Sequence, residues 1–278
     1  MVVQEEINDV EIKPVKLPKT NTGPVAAADL FSEPYGNIFL LARKKSGKTT
    51  VASHILDEAA GPDTHVWLFG STVNKDPTYQ QIKKMLNKKK IEVHSFVSTF
   101  DGKRDILKEI LGTMAGPNDS NTNKKGSGRL MRIHAPGTKY GSGKDDDEDE
   151  DDKPMKQSKK LLYPENIFVF DDLSTELRKP TIAKLLKSNR HYNAKVILIG
   201  HALTDMLPES RKQIDYLLLF PGQSDDKLEE IYSNLSVSIP FEEFKELYDF
   251  ATSERFNFLY IDTVNDTFRH NFNTEISV

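Results

Sequence analysis

Short apolar runs alternate along the chain with segments whose apolar residues recur at helical spacing. Six apolar runs predict β-strands, at Asn37–Ala42, His65–Gly70, Ile91–Phe96, Asn166–Asp171, Lys195–Gly200 and Tyr216–Phe220. Helices are predicted between or after them, at Thr49–Ala60, Pro77–Asn87, Lys103–Leu111, Ser174–Asn189, Asp225–Leu235 and Phe241–Phe250. This alternation indicates an α/β fold whose mostly parallel sheet is covered by helices on both faces.

The chain ends and one long internal segment depart from this pattern. We expect residues 1–34 to form an extended N-terminal arm and residues 35–278 to form one domain. Two apolar stretches near the end flank a polar turn and predict a C-terminal β-hairpin. Residues 112–160 are rich in Gly, Ser, Asn, Lys and Asp, and they have too little apolar surface to order themselves. We therefore expect a disordered surface insertion there.

The amino-acid composition limits the classes of protein to which the chain can belong. The 278 residues are 37% hydrophobic and 29% charged, which is typical of a soluble globular protein with a sizeable core. The absence of Cys excludes disulfides and Cys-based zinc sites. No apolar run approaches the roughly 18 residues of a transmembrane helix, and the N-terminal residues lack the apolar segment of a secretory signal. These features favour an intracellular protein without a membrane anchor.

The net charge of −4 hides an uneven distribution of charge. Residues 145–152 are eight consecutive acidic residues, so the rest of the chain carries a formal charge of +4. That balance is compatible with nucleic-acid binding but does not require it. The acidic run itself is either a solvated spacer or a mimic of DNA that covers a basic surface.

The strongest chemical signal follows the first predicted strand. The sequence Ala-Arg-Lys-Lys-Ser-Gly-Lys-Thr-Thr over residues 42–50 joins that strand to a predicted helix, as a phosphate-binding loop does. Lys48 would reach the β- and γ-phosphates of ATP, and the Thr49 hydroxyl would hold Mg²⁺. Ala42 stands where the motif G-x-x-x-x-G-K-[ST] has its first Gly. The predicted nucleotide-binding residues are Arg43, Lys44, Lys45, Ser46, Gly47, Lys48, Thr49 and Thr50.

A second apolar strand ends in two adjacent carboxylates, Asp171 and Asp172. Side chains at the carboxyl ends of parallel strands point into the crevice where ligands bind in open α/β sheets. We predict that Asp171 is the Walker B ligand of Mg²⁺ and that Asp172 is the general base for the attacking water. The alternative is that one of the two caps the following helix.

Three more residues are candidates for catalysis. His201 lies at the tip of the strand that follows Walker B, where a polar side chain can sense the γ-phosphate. Arg190 and Arg211 are predicted to lie in loops. In ring ATPases an arginine from the neighbouring subunit completes the site, and we expect one of these two to do so.

Four features in this order resemble the FtsK–HerA superfamily of P-loop ATPases. They are the phosphate loop, the strand ending in Asp171-Asp172, the Arg190-His191-Tyr192-Asn193 turn, and the Pro208–Arg211 segment before the last core strand. The resemblance extends to the hairpin sequence that begins at Phe256. It covers residues 34–272 apart from the insertion.

The match is closest to the genome-packaging ATPases of poxviruses, other large DNA viruses, virophages and Polinton-type elements. It implies a RecA-like core, a homo-oligomeric ring of five or six subunits, and ATP- and Mg²⁺-driven translocation of double-stranded DNA. The partners implied are that DNA and the proteins of a preformed capsid in a virus-infected cell. His201 departs from the pattern, because the superfamily usually has a Gln sensor at that position.

Rival interpretations come from other classes. A GTPase is disfavoured because Asn74-Lys75-Asp76 lacks the guanine-reading spacing and precedes Walker B. A small-molecule kinase is disfavoured because no Arg-rich lid is visible. Another FtsK–HerA motor that transfers DNA, and a scaffold that binds ATP without hydrolysing it, remain open.

Overall fold

The computed structural model describes residues 23–115 and 161–278, and their strands form one sheet. The strands are β1 (Asn37–Leu41), β2 (His65–Gly70), β3 (Glu92–Phe96), β4 (Asn166–Asp171), β5 (Ala194–Gly200), β6 (Tyr216–Leu219), β7 (Leu259–Asp262), β8 (Thr267–His270) and β9 (Thr274–Ile276). The helices are α1 (Lys48–Ala59), α2 (Pro77–Lys88), α3 (Ile106–Met114), α4 (Pro180–Ser188), α5 (Pro208–Arg211), α6 (Asp225–Asn234) and α7 (Phe241–Ala251). Short 3₁₀ turns lie at Asn189–Tyr192 and Leu203–Asp205.

The sheet order is β3-β2-β4-β5-β1-β6-β7-β8-β9. Strands β1 to β6 pair parallel with one another, and β7 to β9 are added antiparallel beside β6. Every residue of β1 and β5 is buried, as expected of parallel strands covered on both faces. The predicted α/β class with a mostly parallel sheet is confirmed.

Each face of the sheet builds its own hydrophobic core. Ile38 and Leu40 of β1 point to the face that α1 and α2 cover, whereas Phe39 and Leu41 point to the face that α3, α4, α6 and α7 cover. This follows from the two-residue repeat of a strand, which sends successive side chains to opposite faces. The nine-stranded sheet is thereby fixed between two layers of helices.

Two predicted helices begin later than the sequence pattern indicated. The helix predicted at Ser174–Asn189 begins at Pro180, and the one predicted at Lys103–Leu111 begins at Ile106. Pro180 has no N–H and cannot lie inside a helix, so it takes the first helical position. Asp105 caps α3 through a bond from the Lys108 N–H (2.9 Å), which fixes that start.

The C-terminal hairpin is present and is extended by one further strand. Strands β7 and β8 pair antiparallel, and β9 then pairs with β8, which the sequence analysis did not predict. The turn is held by Asp262, whose side chain accepts bonds from the N–H groups of Val264 and Asn265, both at 2.9 Å.

The ends of the described segments also pack against the domain. In the described part of the expected N-terminal arm, Phe31 is fully buried and packs against Tyr216 with ring centroids 4.9 Å apart. Residues 1–22 of that arm and most of the expected insertion, residues 116–160, lie outside the described residues. Among the described residues no helix is long and apolar enough to cross a membrane.

Candidate nucleotide-binding site

The carboxyl ends of β1, β5 and β4 meet at one edge of the sheet, with β5 in the middle. Leu41 lies opposite Gly200, and Asp171 lies opposite Ile199, so the loops that follow these strands start side by side. The Ala42 N–H donates to the Gly200 carbonyl (3.1 Å), which continues the pairing beyond β1. This register brings the phosphate loop, the paired carboxylates and His201 into one crevice.

Two left-handed residues shape the phosphate loop. Gly47 has φ +91°, and Lys45 has φ +62°, both in the region that favours glycine. Ala42 is buried at the end of β1 and is not among the positive-φ residues. An alanine therefore replaces the first glycine of the motif without left-handed strain.

Lys48 opens α1, and its ammonium group is held inside the crevice. Lys48 Nζ donates to the Ala42 carbonyl (3.3 Å) and lies 3.3 Å from His201 Nδ1. Partial burial lowers the pKa of Lys48, while Asp171 and Asp172 oppose that shift. The amine thus sits in a poorly solvated position where additional negative charge stabilises its protonated form.

His201 connects the phosphate loop to the Walker B carboxylates. Its Nδ1 lies 2.8 Å from the Ala42 carbonyl oxygen, and its Nε2 lies 3.6 Å from Asp172 Oδ1. A carbonyl oxygen only accepts hydrogen bonds, so the shorter contact places a ring proton on Nδ1. Asp205 fixes the backbone here by accepting from the N–H groups of His201 (3.0 Å) and Ala202 (3.1 Å).

Asp171 is largely buried and is held by a tyrosine from α2. The Tyr79 hydroxyl donates to Asp171 Oδ2 at 2.7 Å. Burial raises the pKa of Asp171, whereas Tyr79 and Lys48 lower it. The tyrosine hydroxyl therefore stabilises the ionised carboxylate that a metal ligand must be.

Asp172 adopts a left-handed backbone with φ +54°, a conformation that Asp tolerates better than most residues. Its side chain is 57% exposed, as suits a group that meets solvent water. Neither Asp171 nor Asp172 caps the following helix, because α4 begins beyond Lys179. The alternative that these carboxylates are only helix caps is wrong.

The donors at this edge fit Mg²⁺. The Thr49 hydroxyl and the Asp171 carboxylate are oxygen ligands of the kind that Mg²⁺ takes. Thr49 lies in the first turn of α1, and the desolvation of Asp171 leaves a buried negative charge that a cation would offset. The chemistry of these two residues therefore agrees with the metal role predicted for them.

The two candidate arginines lie elsewhere. Arg190 is exposed in the 3₁₀ turn before β5, at the amino ends of the strands. Arg211 is half-buried at the end of α5, and its guanidinium donates to the Met206 carbonyl (3.3 Å) and to the Asn234 side chain (3.4 Å). The contacts found for both are remote from the phosphate loop of the same chain.

Several site residues carried no recognisable sequence signal. Tyr79 lies in an ordinary amphipathic helix, and Asp205 ends a short 3₁₀ turn. Phe256 reaches Gly47 from the loop before β7, so that a Cβ added to Gly47 would lie 3.3 Å from its ring. Its ring is 52% exposed, and its φ of +74° is unusual for a bulky residue.

The fold and the phosphate loop together define an α/β P-loop NTPase fold. Known structures with this fold include the genome-packaging NTPase B204 from Sulfolobus turreted icosahedral virus 2. Its AMP complex matches with a TM-score of 0.52 and 15% identity over 88% of this chain and 99% of that chain. Its AMPPCP complex matches with a TM-score of 0.52 and 17% identity over 85% and 97% of the two chains.

A third structure of that NTPase, with ATP-γS, gives a TM-score of 0.50 at 17% identity. At these identities the likeness concerns the fold, and it confirms the expected resemblance to viral packaging ATPases at that level. No family model matches the chain, and the comparison with curated proteins gives no match.

Proposed function

We propose that this protein is an ATP-driven motor that translocates double-stranded DNA into a viral capsid. The observation that carries the proposal is the convergence of Lys48, His201 and the two Walker B carboxylates at one sheet edge. The fold shared with a viral genome-packaging NTPase supports it. The setting that follows is a virus-infected cell, with capsid proteins as partners.

Hydrolysis in this proposal is phosphoryl transfer to water. Lys48 leaves the Ala42 carbonyl to bind the β- and γ-phosphates, whose charge favours its protonated form. Asp172 takes the proton of the attacking water, and the His201 ring, whose Nε2 lies 3.6 Å from Asp172 Oδ1, orients that water beside it. Thr49 and Asp171 would hold Mg²⁺, which would supply neutralisation of phosphate charge.

We also place the nucleotide base against Phe256. The ring is exposed, lies beside Gly47, and is covered on one side by Arg255, whose guanidinium carbon is 4.6 Å from the ring centroid. An aromatic face at the end of a phosphate loop offers the stacking surface that a purine uses.

DNA contact in this proposal is mainly to phosphates, so it is independent of sequence and weakened by salt. Lysines cluster along and just after α2, where Lys83 and Lys89 already make hydrogen bonds within the chain. Lys84, Lys88 and Lys90 are exposed and remain available. Lys124 and Lys125 lie outside the described residues.

The substitution Asp172→Asn tests hydrolysis against mere nucleotide binding. We expect turnover to fall at least about a hundredfold while ATP affinity stays within roughly threefold, since the base is lost and the phosphate loop is intact. Asp226→Asn, an exposed carboxylate on α6, is the matched control. A wild-type protein that binds ATP and never turns it over would instead be a nucleotide-gated scaffold. Turnover stimulated by DNA without packaging into capsids would indicate a DNA-transfer motor.

A further inference from the structure

Two histidines and a glutamate cluster at the start of β2 and β3. His65 lies directly opposite Glu92, and Trp67 lies directly opposite His94 in the parallel pairing. Residues two apart in a strand point to the same face, so His65, Glu92 and His94 share one face of the sheet. They lie at the amino ends of the strands, whereas Gly70 at the other end of β2 pairs with Asp171.

Two of the spacings between their donor atoms match those around a tetrahedral metal ion. Glu92 Oε2 lies 3.3 Å from His65 Nδ1, and Glu92 Oε1 lies 3.3 Å from His94 Nε2. One donor atom from each of the three residues falls within 4.8 Å of the others. A zinc ion with ligand bonds of about 2.0–2.1 Å separates adjacent tetrahedral ligands by roughly 3.3 Å.

The His94 side chain is also fixed in an orientation that suits a metal ligand. Its Nε2 is buried and makes no hydrogen bond among the described residues, although it faces Glu92. Its ring stacks on Trp67 with centroids 4.1 Å apart, which fixes the ring plane. Burial lowers the pKa of His94, and the neighbouring His65 adds to that shift while Glu92 opposes it. A buried polar atom that makes no hydrogen bond is open to a metal ion or a water molecule.

We propose that His65, Glu92 and His94 bind one Zn²⁺ ion that clamps β3 to β2. Strand β3 lies at the end of the sheet order, pairs only with β2 among the described strands, and has no fully buried residue. A shared metal ion would fasten this edge. The side chains of His65 and Glu92 are 47% and 61% exposed, so the ion can enter and water can fill the fourth position.

Imidazole nitrogens select against Mg²⁺ and Ca²⁺, which prefer oxygen ligands. The cluster therefore differs in chemistry from the Thr49 and Asp171 pair. It is also separated from Asp171 by most of the length of β2, about 16 Å at 3.3 Å per residue. Zinc binding here is independent of the nucleotide site.

Equilibrium dialysis of the tag-free, full-length protein against Zn²⁺, followed by metal analysis, tests the proposal. We expect one zinc per chain, with affinity reduced at least about a hundredfold in Glu92→Gln and in His65→Asn. Both substitutions fall on exposed side chains and should not prevent folding. His191→Asn, at an exposed histidine outside the cluster, is the matched control and should bind zinc as the wild type does.

Hydrogen exchange gives a second, independent readout. Zn²⁺ should slow amide exchange in Glu92–Phe96 at least severalfold, Mg²⁺ at the same concentration should not, and Glu92→Gln should abolish the effect. Failure of the wild type to bind zinc, or equal binding by Glu92→Gln and the wild type, would overturn the proposal. So would exchange in β3 that is unchanged by bound zinc.

Discussion

At the scale of single residues, the Walker B carboxylate depends on a partner from a different element. Asp171 is desolvated at the end of β4, and this raises its pKa. The Tyr79 hydroxyl compensates by donating at 2.7 Å. Without that donor a buried carboxylate would be partly unsatisfied, which is costly. We therefore propose that Tyr79 positions Asp171, the proposed metal ligand.

The substitution Tyr79→Phe removes this donor and keeps the ring. We expect kcat/KM for ATP to fall about tenfold, which corresponds to roughly 1.4 kcal/mol of lost stabilisation. Because the pKa of Asp171 rises further, the acid limb of the pH–rate profile should move to higher pH. Tyr232→Phe, which removes a hydroxyl that bonds to the Ile239 carbonyl, is the control. An unshifted acid limb in Tyr79→Phe would exclude the positioning role.

A separate prediction concerns Phe256 and the binding of the ATP base. Stacking of a base on an aromatic ring contributes about 1–3 kcal/mol, so Phe256→Ala should raise the KM for ATP about tenfold and leave kcat within roughly twofold. Phe250→Ala is the control, since that ring is 60% exposed and lies on α7. Equal KM values for Phe256→Ala and the wild type would remove Phe256 from the base site.

At the scale of elements, the apolar runs predicted the strands well because the central parallel strands β1, β4, β5 and β6 are buried on both faces. β4 was predicted with both its bounds, and β5 lacked only Ala194. The start of α4 was missed because helical spacing extends upstream of Pro180, whereas the backbone cannot continue through it. β9 was missed because it is three residues long and carries no buried apolar pattern.

Within the candidate site, only the residues that belong to recognisable sequence motifs could be predicted. Lys48, Asp171 and Asp172 stand at fixed offsets from strand ends, so their meeting follows from the topology. Tyr79 and Phe256 come from segments far away in sequence, and only tertiary packing brings them to the site.

Lys195 is a buried lysine that connects strand β5 to the N-terminal residues. It is fully buried in β5, where its Nζ donates to the Glu33 carbonyl (3.0 Å) and lies 4.8 Å from the centre of the Phe31 ring. Burial lowers its pKa from 10.5 to about 7, with Asp215 and Glu33 opposing the shift. Lys195 therefore links the N-terminal residues Phe31 and Glu33 to the sheet. Its ammonium group is readily neutralised because its pKa is low.

This pKa predicts how stability depends on pH. Between pH 7 and 10.5 the unfolded state binds the Lys195 proton and the folded state does not, so the free energy of unfolding should rise with pH. The contribution approaches about 1.4 kcal/mol per pH unit. Urea unfolding at pH 7, 8 and 9 should show this rise in the wild type and a smaller one in Lys195→Met. Identical slopes for the two proteins would contradict the assignment.

At the scale of the whole molecule, the proposed ring needs an arginine supplied by a neighbour. Arg190 lies at the amino edge of the strands, opposite the edge that carries the nucleotide site, and its side chain is exposed. Head-to-tail contacts in a ring bring different surfaces of adjacent subunits together. Arg211 is held by two bonds within its own chain. We therefore favour Arg190 as the residue acting in trans.

Mixing two inactive variants tests this choice. Arg190→Ala and Lys48→Ala should each lose at least about a thousandfold in turnover, because each lacks an essential part of the site. In mixed rings, an Arg190→Ala site can receive an intact arginine from a Lys48→Ala neighbour, so activity should partly return. Arg211→Ala in place of Arg190→Ala should retain activity on its own. Mixtures without recovery would exclude Arg190.

The proposed function requires that ATP turnover drives movement along DNA. The most direct measurement is steady-state ATP hydrolysis with and without long double-stranded DNA, comparing the wild type with Lys48→Ala. We expect turnover that rises several-fold with DNA, weakens with added salt, and vanishes in Lys48→Ala. ATP binding without turnover under both conditions, in protein shown to be oligomeric, would contradict it.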